Sequence, residues 1–396
     1  MHCVRNLTED TYWIGASDRR LALFENIFPI PRGVSYNSYV ILDEKTVLLD
    51  TVDTAVSKQF FENLAYVLDG RNLDYLVINH MEPDHASMIE EVRLRYPDVT
   101  LVTTSKTVQI MKQFFGSADN DHVMLMKEGD VLSAGKHELH FVAAPMVHWP
   151  EVTVAYDSCT KALFSADAFG TFGALGGYIF NDEIDFDRDW LDDARRYYTN
   201  IVGKYGVQVQ NVLKKADGLD IQMICPLHGP VWRNNLGYIL DKYQKWSTYE
   251  PEEKGVVIAY ASMYGNTANA ADVLACRLAE AGVKNIRVYD VSNTHVSVLI
   301  SEIFHYSHLV LAAPTYNSGI YPIMANLLED MKALNVQNRT VGIMENGTWA
   351  ATSGKQMRAK LEEMKNMTIL DEKVTIKSAL WEEPSGLVKR LAEDLC

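Results

Sequence analysis

Cysteine is scarce in this sequence and never occurs as a motif: Cys3, Cys159, Cys225, Cys276 and Cys396 stand far apart, with no Cys-x-x-Cys pair among them. Five scattered thiols exclude a disulfide framework, a zinc knuckle and a thiolate-held iron centre. Long apolar runs are missing too, since no stretch of 18 residues is apolar enough for a membrane span. The N-terminal residues Met1 to Asn6 lack the charged-then-apolar layout of a secretory leader, so a cytoplasmic address is the expectation. Positive charge is in deficit as well. Lys and Arg number 37 against 52 Asp and Glu, and the resulting formal charge of −15 opposes binding to a nucleic-acid backbone. What the chain does have is size and apolar content. Its 396 residues, 47% of them hydrophobic, suffice for the cores of two or three globular domains.

Two regions read differently. Residues 1–249 mix short strands and helices, and several apolar strands stop abruptly at His or acidic residues. Leu73–Asn79, Leu139–Ala144, Ala162–Ser165 and Ile221–Cys225 have strand character, while Ala86–Tyr96 carries Ile89 and Val92 on one helical face and is stopped by Pro97. Residues 250–255, charged and holding Pro251 and Gly255, read as a linker. From 256 to 396 the pattern is regular. Strands are expected at Val256–Ala261, Ile286–Val291, Leu309–Ala313, Thr340–Glu345 and Val374–Leu380. Helices are expected at Thr267–Ala281, Pro322–Ala333, Lys355–Met364 and from Pro384 onward, which is the layout of a doubly wound five-stranded parallel sheet.

The first region concentrates ionisable side chains at strand ends. His80, Glu82, Asp84 and His85 fall within six residues, directly after a buried strand. Three further strand ends each deliver one more: His148, Asp167 and His228. A lone His or Asp in such a place is usually solvated, but this much ionisable side chain at the mouth of a sheet is costly unless cations neutralise it. Four imidazoles and three carboxylates are too many for one ion and fit two. If Asp167 bridges, each ion receives two His and one further carboxylate. Trp149 beside His148 is a candidate wall for the pocket, and Tyr197 or Tyr198 a candidate hydroxyl near it. Cys225 reads as a core thiol; His2, His122, His137, His140, His295, His305 and His308 read as surface or structural.

The order and spacing of these seven residues resemble the metallo-β-lactamase superfamily, whose usual His-x-His-x-Asp-His loop here reads His-x-Glu-x-Asp-His. With Glu82 in the second position, the set is similar to the flavo-diiron proteins, also called A-type flavoproteins. That resemblance implies an N-terminal αββα sandwich in which His80, Glu82 and His148 hold one iron. Asp84, His85 and His228 would hold the other, and Asp167 would bridge them. The anionic oxygen of Glu82 favours iron over zinc in an N/O site.

The second region carries three loops at expected strand ends. Ser262-Met263-Tyr264-Gly265-Asn266-Thr267 leads from a strand into a helix and can wrap a phosphate with backbone N–H groups and the Ser262 and Thr267 hydroxyls. It contains neither Gly-x-Gly-x-x-Gly nor a Walker-type Lys. It resembles the flavodoxin phosphate loop, with Tyr264 where free flavodoxins often have Thr. Pro314-Thr315-Tyr316-Asn317-Ser318-Gly319 and Asn346-Gly347-Thr348-Trp349 follow the third and fourth strands, where such sheets bind ligands. Tyr316 and Trp349 can flank an isoalloxazine ring, making FMN the expected cofactor.

The resemblance runs over essentially the whole chain. It implies an oxidoreductase that reduces dioxygen to water, nitric oxide to nitrous oxide, or both, at two irons fed by FMN. It implies further a head-to-tail homodimer or a dimer of such dimers, with a rubredoxin or a flavin reductase as electron donor. The rival readings are a zinc hydrolase of the lactamase superfamily with a fused flavodoxin, and a non-catalytic electron-transfer flavoprotein.

Overall fold

The computed structural model describes residues 1–116 and 122–396. The chain divides into two compact units, Met1–Tyr198 with Val207–Asp241, and Thr199–Gly206 with Lys242–Cys396. The division falls inside helix Leu236–Thr248, and Glu253–Gly255, expected in a linker, open the strand Glu253–Tyr260 instead.

The first unit is built on two sheets. One has seven strands, and at its centre Tyr39–Leu42, Thr46–Leu49, Tyr75–Val77 and Thr100–Thr103 lie side by side. Thr46–Leu49 is buried at every residue, as a strand covered on both faces must be. Helix Ser57–Leu68 turns Phe60, Phe61, Leu64 and Val67 inward. The other sheet has five strands, Val131–Ser133, Glu138–Ala143, Thr153–Asp157, Ala162–Phe164 and Met223–Cys225, in that order. Thr153 N–H donates to Asn79 O at 3.0 Å, which stitches the second sheet to the end of a first-sheet strand. The strand expected over Leu73–Asn79 is shorter, Tyr75–Val77, because the Asp50 carboxylate rather than a neighbouring strand takes the Asn79 and His80 N–H groups. The helix expected over Ala86–Tyr96 forms as two pieces, Pro83–Ala86 and Ile89–Arg95.

The second unit is a parallel sheet in the order Ile286–Asp290, Glu253–Tyr260, Tyr306–Tyr316, Thr340–Asn346, Thr368–Ile376. Numbered along the chain this is 2-1-3-4-5, the doubly wound order that leaves a crevice at the ends of strands one and three. Gly319–Ile320 adds a short antiparallel hairpin to the third strand. Alternate residues feed two cores: Val257, Leu309 and Ile343 face one side, Ile258, Val310 and Met344 the other. Helix Val296–His305, between the second and third strands, was not expected from the sequence. The last strand lies earlier than Val374–Leu380, over Thr368–Ile376, since Lys373 to Ile376 pair in register with Ile343 to Asn346.

Arg339 holds several ends of this unit together. Its buried guanidinium donates to Ile303 O at 2.6 Å and Phe304 O at 2.7 Å, at the C-terminal end of helix Val296–His305, and to Tyr249 O at 2.8 Å. Burial pushes its pKa down to about 10, still high enough for the group to stay charged. Arg339→Met leaves these carbonyls without their donor and is expected to cost about 3 kcal/mol. Urea unfolding followed by tryptophan fluorescence measures the loss, and an unchanged midpoint would show that the carbonyls need no such clasp.

Candidate metal centre and flavin pocket

The His80–His85 segment is shaped by what surrounds it. Asp50 Oδ1 accepts from Asn79 N at 2.8 Å and His80 N at 3.2 Å, while Asp50 Oδ2 accepts from Asn79 Nδ2 at 2.8 Å. Pro83 then starts the short helix Pro83–Ala86, for which its fixed φ and missing N–H are suited. His80 and Glu82 therefore precede the helix, and Asp84 and His85 sit on it. Three non-glycine residues beside these loops, Asp50, Met146 and Ala166, have φ of 53°, 64° and 50°. Such backbone is unfavourable by itself and collects where side chains are aimed for function.

All seven residues expected as ligands come together, in two groups: His80, Glu82, His148 and Asp167; and Asp84, His85 and His228. Asp167 faces both. Its Oδ2 lies 3.1 Å from His148 Nε2 and 3.3 Å from His80 Nε2. Its Oδ1 lies 3.1 Å from His85 Nε2 and 3.7 Å from His228 Nε2. Glu82 Oε2 stands 3.0 Å from His148 Nε2 and 3.4 Å from His80 Nε2. Asp84 Oδ2 does the same on the other side, 3.4 Å from His85 Nε2 and 3.3 Å from His228 Nε2. Each group thus offers two ring nitrogens and a carboxylate, with Asp167 between.

The tautomers point the same way. His80 Nδ1–H donates to Glu151 Oε1 at 2.9 Å, and His228 Nδ1–H donates to Ser35 O at 2.7 Å. With those protons on Nδ1, the Nε2 lone pairs face the centre, as metal binding requires. His85 Nε2 and His228 Nε2 approach to 3.0 Å, close for two nitrogens aimed at one point. His80 Nε2, both Asp84 oxygens and Asp167 Oδ1 are buried with no hydrogen-bond partner among the described residues. Two cations would satisfy these atoms and neutralise the carboxylates, so the residues fit a binuclear centre. Burial alone would raise the Asp167 carboxyl, but His85 and His80 hold it well below the usual carboxylate range. Burial would lower His80, but Asp167 beside it raises the imidazole well above its ordinary value: the carboxylate draws positive charge to Nε2, a proton when no cation is bound there and a cation in place of that proton.

Glu151 is the functional residue that sequence reading missed. It is buried, orients His80, and also accepts from Met81 N at 3.0 Å. The available signal was an acidic residue between Pro150 and Val152, three positions after His148 and just ahead of a buried strand. Glu25 lies at the edge of the same group. It is exposed on its turn, yet its carboxyl end lies beside Glu82, and burial of that end with the neighbouring charge pushes it up to about 8. Trp149 packs edge-on to His80 and His148, with ring centroids 5.5 and 6.4 Å away. Of the two tyrosines, Tyr197 is buried with its ring centroid 5.5 Å from that of His228; Tyr198, next in the chain, is buried as well.

In the second unit the three expected loops line one cavity of about 450 Å³. Ser262, Met263, Tyr264, Asn266 and Thr267 come from the first loop, and Pro314, Thr315, Tyr316 and Asn317 from the second. Asn346, Gly347 and Trp349 come from the third, joined by Ser378 from beyond the last strand. Gly265 and Gly319 do not line the cavity. Gly265, at φ 90°, turns the chain into helix Asn266–Glu280, and Gly319 pairs with Tyr316 in the hairpin. Thr315 lines the wall, but its hydroxyl oxygen is occupied by Thr352 N at 2.9 Å and Ser353 N at 3.2 Å. Tyr264 and Trp349 stand out from the rim, 90% and 94% exposed, with faces free for a flat ring.

The match to known proteins follows the same two-part layout. Residues 34–229 match the family model described as ODP family beta lactamase, and residues 258–377 match that of flavodoxin. The anaerobic nitric oxide reductase flavorubredoxin of Klebsiella pneumoniae is 31% identical over 357 residues, covering 89% of this chain and 73% of that protein. The Escherichia coli protein of the same name is also 31% identical, over 358 residues, with 89% and 74% covered. Among solved structures, the rubredoxin oxygen:oxidoreductase of Desulfovibrio gigas superposes with a TM-score of 0.92 at 29% identity, covering 99% of this chain and 97% of its own. The flavodiiron protein of Giardia intestinalis gives 0.93 at 25% identity, with 99% and 95% covered.

Two outcomes are expected of the sites themselves. Glu151→Ala should weaken metal retention about 10- to 100-fold in competition with a chelator, as loss of an orienting partner does; unchanged retention would reduce Glu151 to an anchor for Met81. A Cβ at position 347 would fall 2.3 Å from Ala350 O, so Gly347→Ala must displace the third loop. Flavin should then leave more readily, seen as free-flavin fluorescence after gel filtration, and full flavin content would mean that the loop gives way harmlessly.

Proposed function

Since this chain belongs to the flavodiiron protein family, we propose that it reduces dioxygen or nitric oxide at a pair of irons supplied with electrons by FMN. The observation that carries the proposal is the placing of Asp167, whose two oxygens face two separate His–His–carboxylate groups. When bound, the iron pair and the flavin together supply four electrons, two from each, and the irons act as Lewis acids toward the substrate.

The chain's own residues set the conditions. Asp167 fixes the spacing of the two cation positions, so that both can engage one small molecule. Glu82 and Asp84 give each position a hard anionic oxygen that favours an iron changing between its two ordinary oxidation states. Phe24, whose ring packs edge-on to His228 at 5.4 Å, and Trp149 keep bulk water from the imidazoles. Tyr197, against His228, is assigned the hydroxyl that can hold a proton near the substrate. Dioxygen takes four electrons and four protons to give two waters; two nitric oxide molecules take two electrons and two protons to give nitrous oxide and one water.

In the second unit Ser262 and Thr267 with their backbone neighbours take the FMN phosphate, and Tyr316 and Trp349 take the ring. As electron donor the proposal takes a rubredoxin-type protein, as the names of the similar flavorubredoxins and rubredoxin oxygen:oxidoreductase suggest, or a flavin reductase. A head-to-tail homodimer belongs to the proposal, with the flavin of one chain serving the irons of its partner.

Asp167→Ala is expected to abolish consumption of both gases in anaerobic single-turnover assays while FMN stays bound; retained turnover would remove the bridge. Mixing that variant with a flavin-depleted one should restore part of the activity, because a mixed dimer pairs intact irons with an intact flavin. No recovery after confirmed subunit exchange would argue for electron transfer within one chain. Purified protein holding zinc and no iron, inactive toward both gases, would overturn the function itself.

A further inference from the structure

Resting on the reading of the second unit as an FMN domain, we propose that Glu345 is a positioning residue for the flavin. Its buried carboxylate closes the neck of the 346–353 loop and holds that loop in its binding shape before the cofactor arrives.

Strand Thr340–Asn346 alternates between the two cores. Val341 and Ile343 face the side where Met357 and Leu361 of helix Ser353–Glu362 pack. Glu345 is the next position on that face, so a carboxylate stands where the pattern calls for an apolar side chain, 1% exposed. It is fully engaged there. Oε2 accepts from Gly354 N at 2.8 Å, and Oε1 accepts from Thr375 Oγ1 at 2.8 Å and Lys373 Nζ at 2.5 Å. Thr375 is the register partner of Glu345 on the neighbouring strand, and Lys373 lies two residues earlier on the same face.

The bond to Gly354 spans the neck of a loop that contains Asn346, Gly347 and Trp349, three residues lining the cavity. A Cβ on residue 354 would fall 2.7 Å from Glu345 Oε2 and 2.9 Å from Lys373 Cδ, so any side chain there would have to push the Glu345–Lys373 pair away from the neck. Closure at the neck reaches the second loop as well. Thr352 N and Ser353 N donate to Thr315 Oγ1, and Thr352 Oγ1 donates to Ser318 O at 3.1 Å. The 314–319 and 346–353 loops are therefore one bonded rim whose base is the Glu345 carboxylate.

A well-packed apolar side chain would serve stability at least as well, because a buried ion pair roughly balances its own desolvation. What the carboxylate adds is a fixed geometry. It also places a negative charge at the N-terminus of helix Ser353–Glu362, where the helix dipole favours one. That terminus is thus filled from within the chain. Helix Asn266–Glu280 starts differently, with Gly265 as a cap that has no side chain and an uncharged acceptor, Ser262 Oγ, on the Gly265 N–H, and it is left for the cofactor's phosphate.

The test uses the full-length protein stripped of flavin and titrated with FMN, following the quenching of flavin fluorescence and the visible circular dichroism of the bound ring. Glu345→Leu combined with Lys373→Met refills the core and removes both charges. It is expected to fold, to bind FMN about tenfold more weakly or worse, and to shift the dichroism band. Glu345→Gln keeps an oxygen for Gly354 N–H and is expected to lose about threefold, a partial rescue that a merely structural role would not produce. A folded double variant with wild-type affinity and an unaltered band overturns the proposal. Should the double variant lose its far-ultraviolet dichroism, Glu345→Gln decides alone, and wild-type affinity with an unaltered band overturns the proposal there too. If the unsubstituted protein fails to bind FMN, it is the flavin reading that falls, and this one with it.

Discussion

The first unit is organised around the electrostatics of Asp167. A carboxylate that is 1% exposed, facing four imidazole nitrogens and flanked by Glu82 and Asp84, is not a stable arrangement of a bare protein. With Glu151 fixing the proton of His80 on Nδ1 and Ser35 O doing so for His228, at least two of the four rings present lone pairs inward. Negative oxygens and nitrogen lone pairs meeting in a region closed to water require cations to hold them. The Asp50 clasp, the left-handed backbone at Ala166 and the stitch from Thr153 to Asn79 all serve to bring those groups together.

The second unit solves a different problem, the binding of a large, flat, anionic molecule. Here the chain supplies very little charge of its own at the rim. Backbone groups, hydroxyls and the exposed rings of Tyr264, Tyr316 and Trp349 do most of the lining, and the buried carboxylate of Glu345 is turned inward to Gly354, Thr375 and Lys373. The contrast between the two sites follows from their ligands. Small cations need converging anionic donors, whereas a flavin phosphate needs N–H groups and the absence of competing carboxylates. Both sites stand at the ends of strands, where side chains leave a rigid sheet and loops are free to vary.

Much of this was legible in the residues. His80, Glu82, Asp167 and His228 lie within a few residues of a strand end, Asp84 and His85 on the short helix that follows His80, and His148 five residues after its strand, and that clustering is local enough to read. The loops at 262–267, 314–319 and 346–349 follow their strands just as closely, and twelve of their fourteen residues expected to contact a flavin line one cavity of the second unit. Helix Val296–His305 went unread although Val296, Leu299, Ile300, Ile303 and Phe304 recur at helical spacing; its ten residues are so apolar that the run also suits a buried strand. The last strand was placed too late because its register is decided by pairing with Thr340–Asn346, not by its own composition.

The sequence by itself determined which atoms could become ligands, since residue type and strand position are local properties. It likewise carried two kinds of pattern, a cluster of His and carboxylates in the first region and, in the second, a strand-to-helix loop without a Walker-type Lys. Only the tertiary structure decided that Asp167 stands between the two groups, that Glu151 and Ser35 O meet the imidazole Nδ1 atoms, and that Glu345 accepts from Gly354 N across the neck of the 346–353 loop. Those facts depend on contacts between residues 71 or 193 positions apart in the first unit, and on a neighbouring strand's register in the second. Distances of that kind are set when the sheets assemble, and no local pattern carries them.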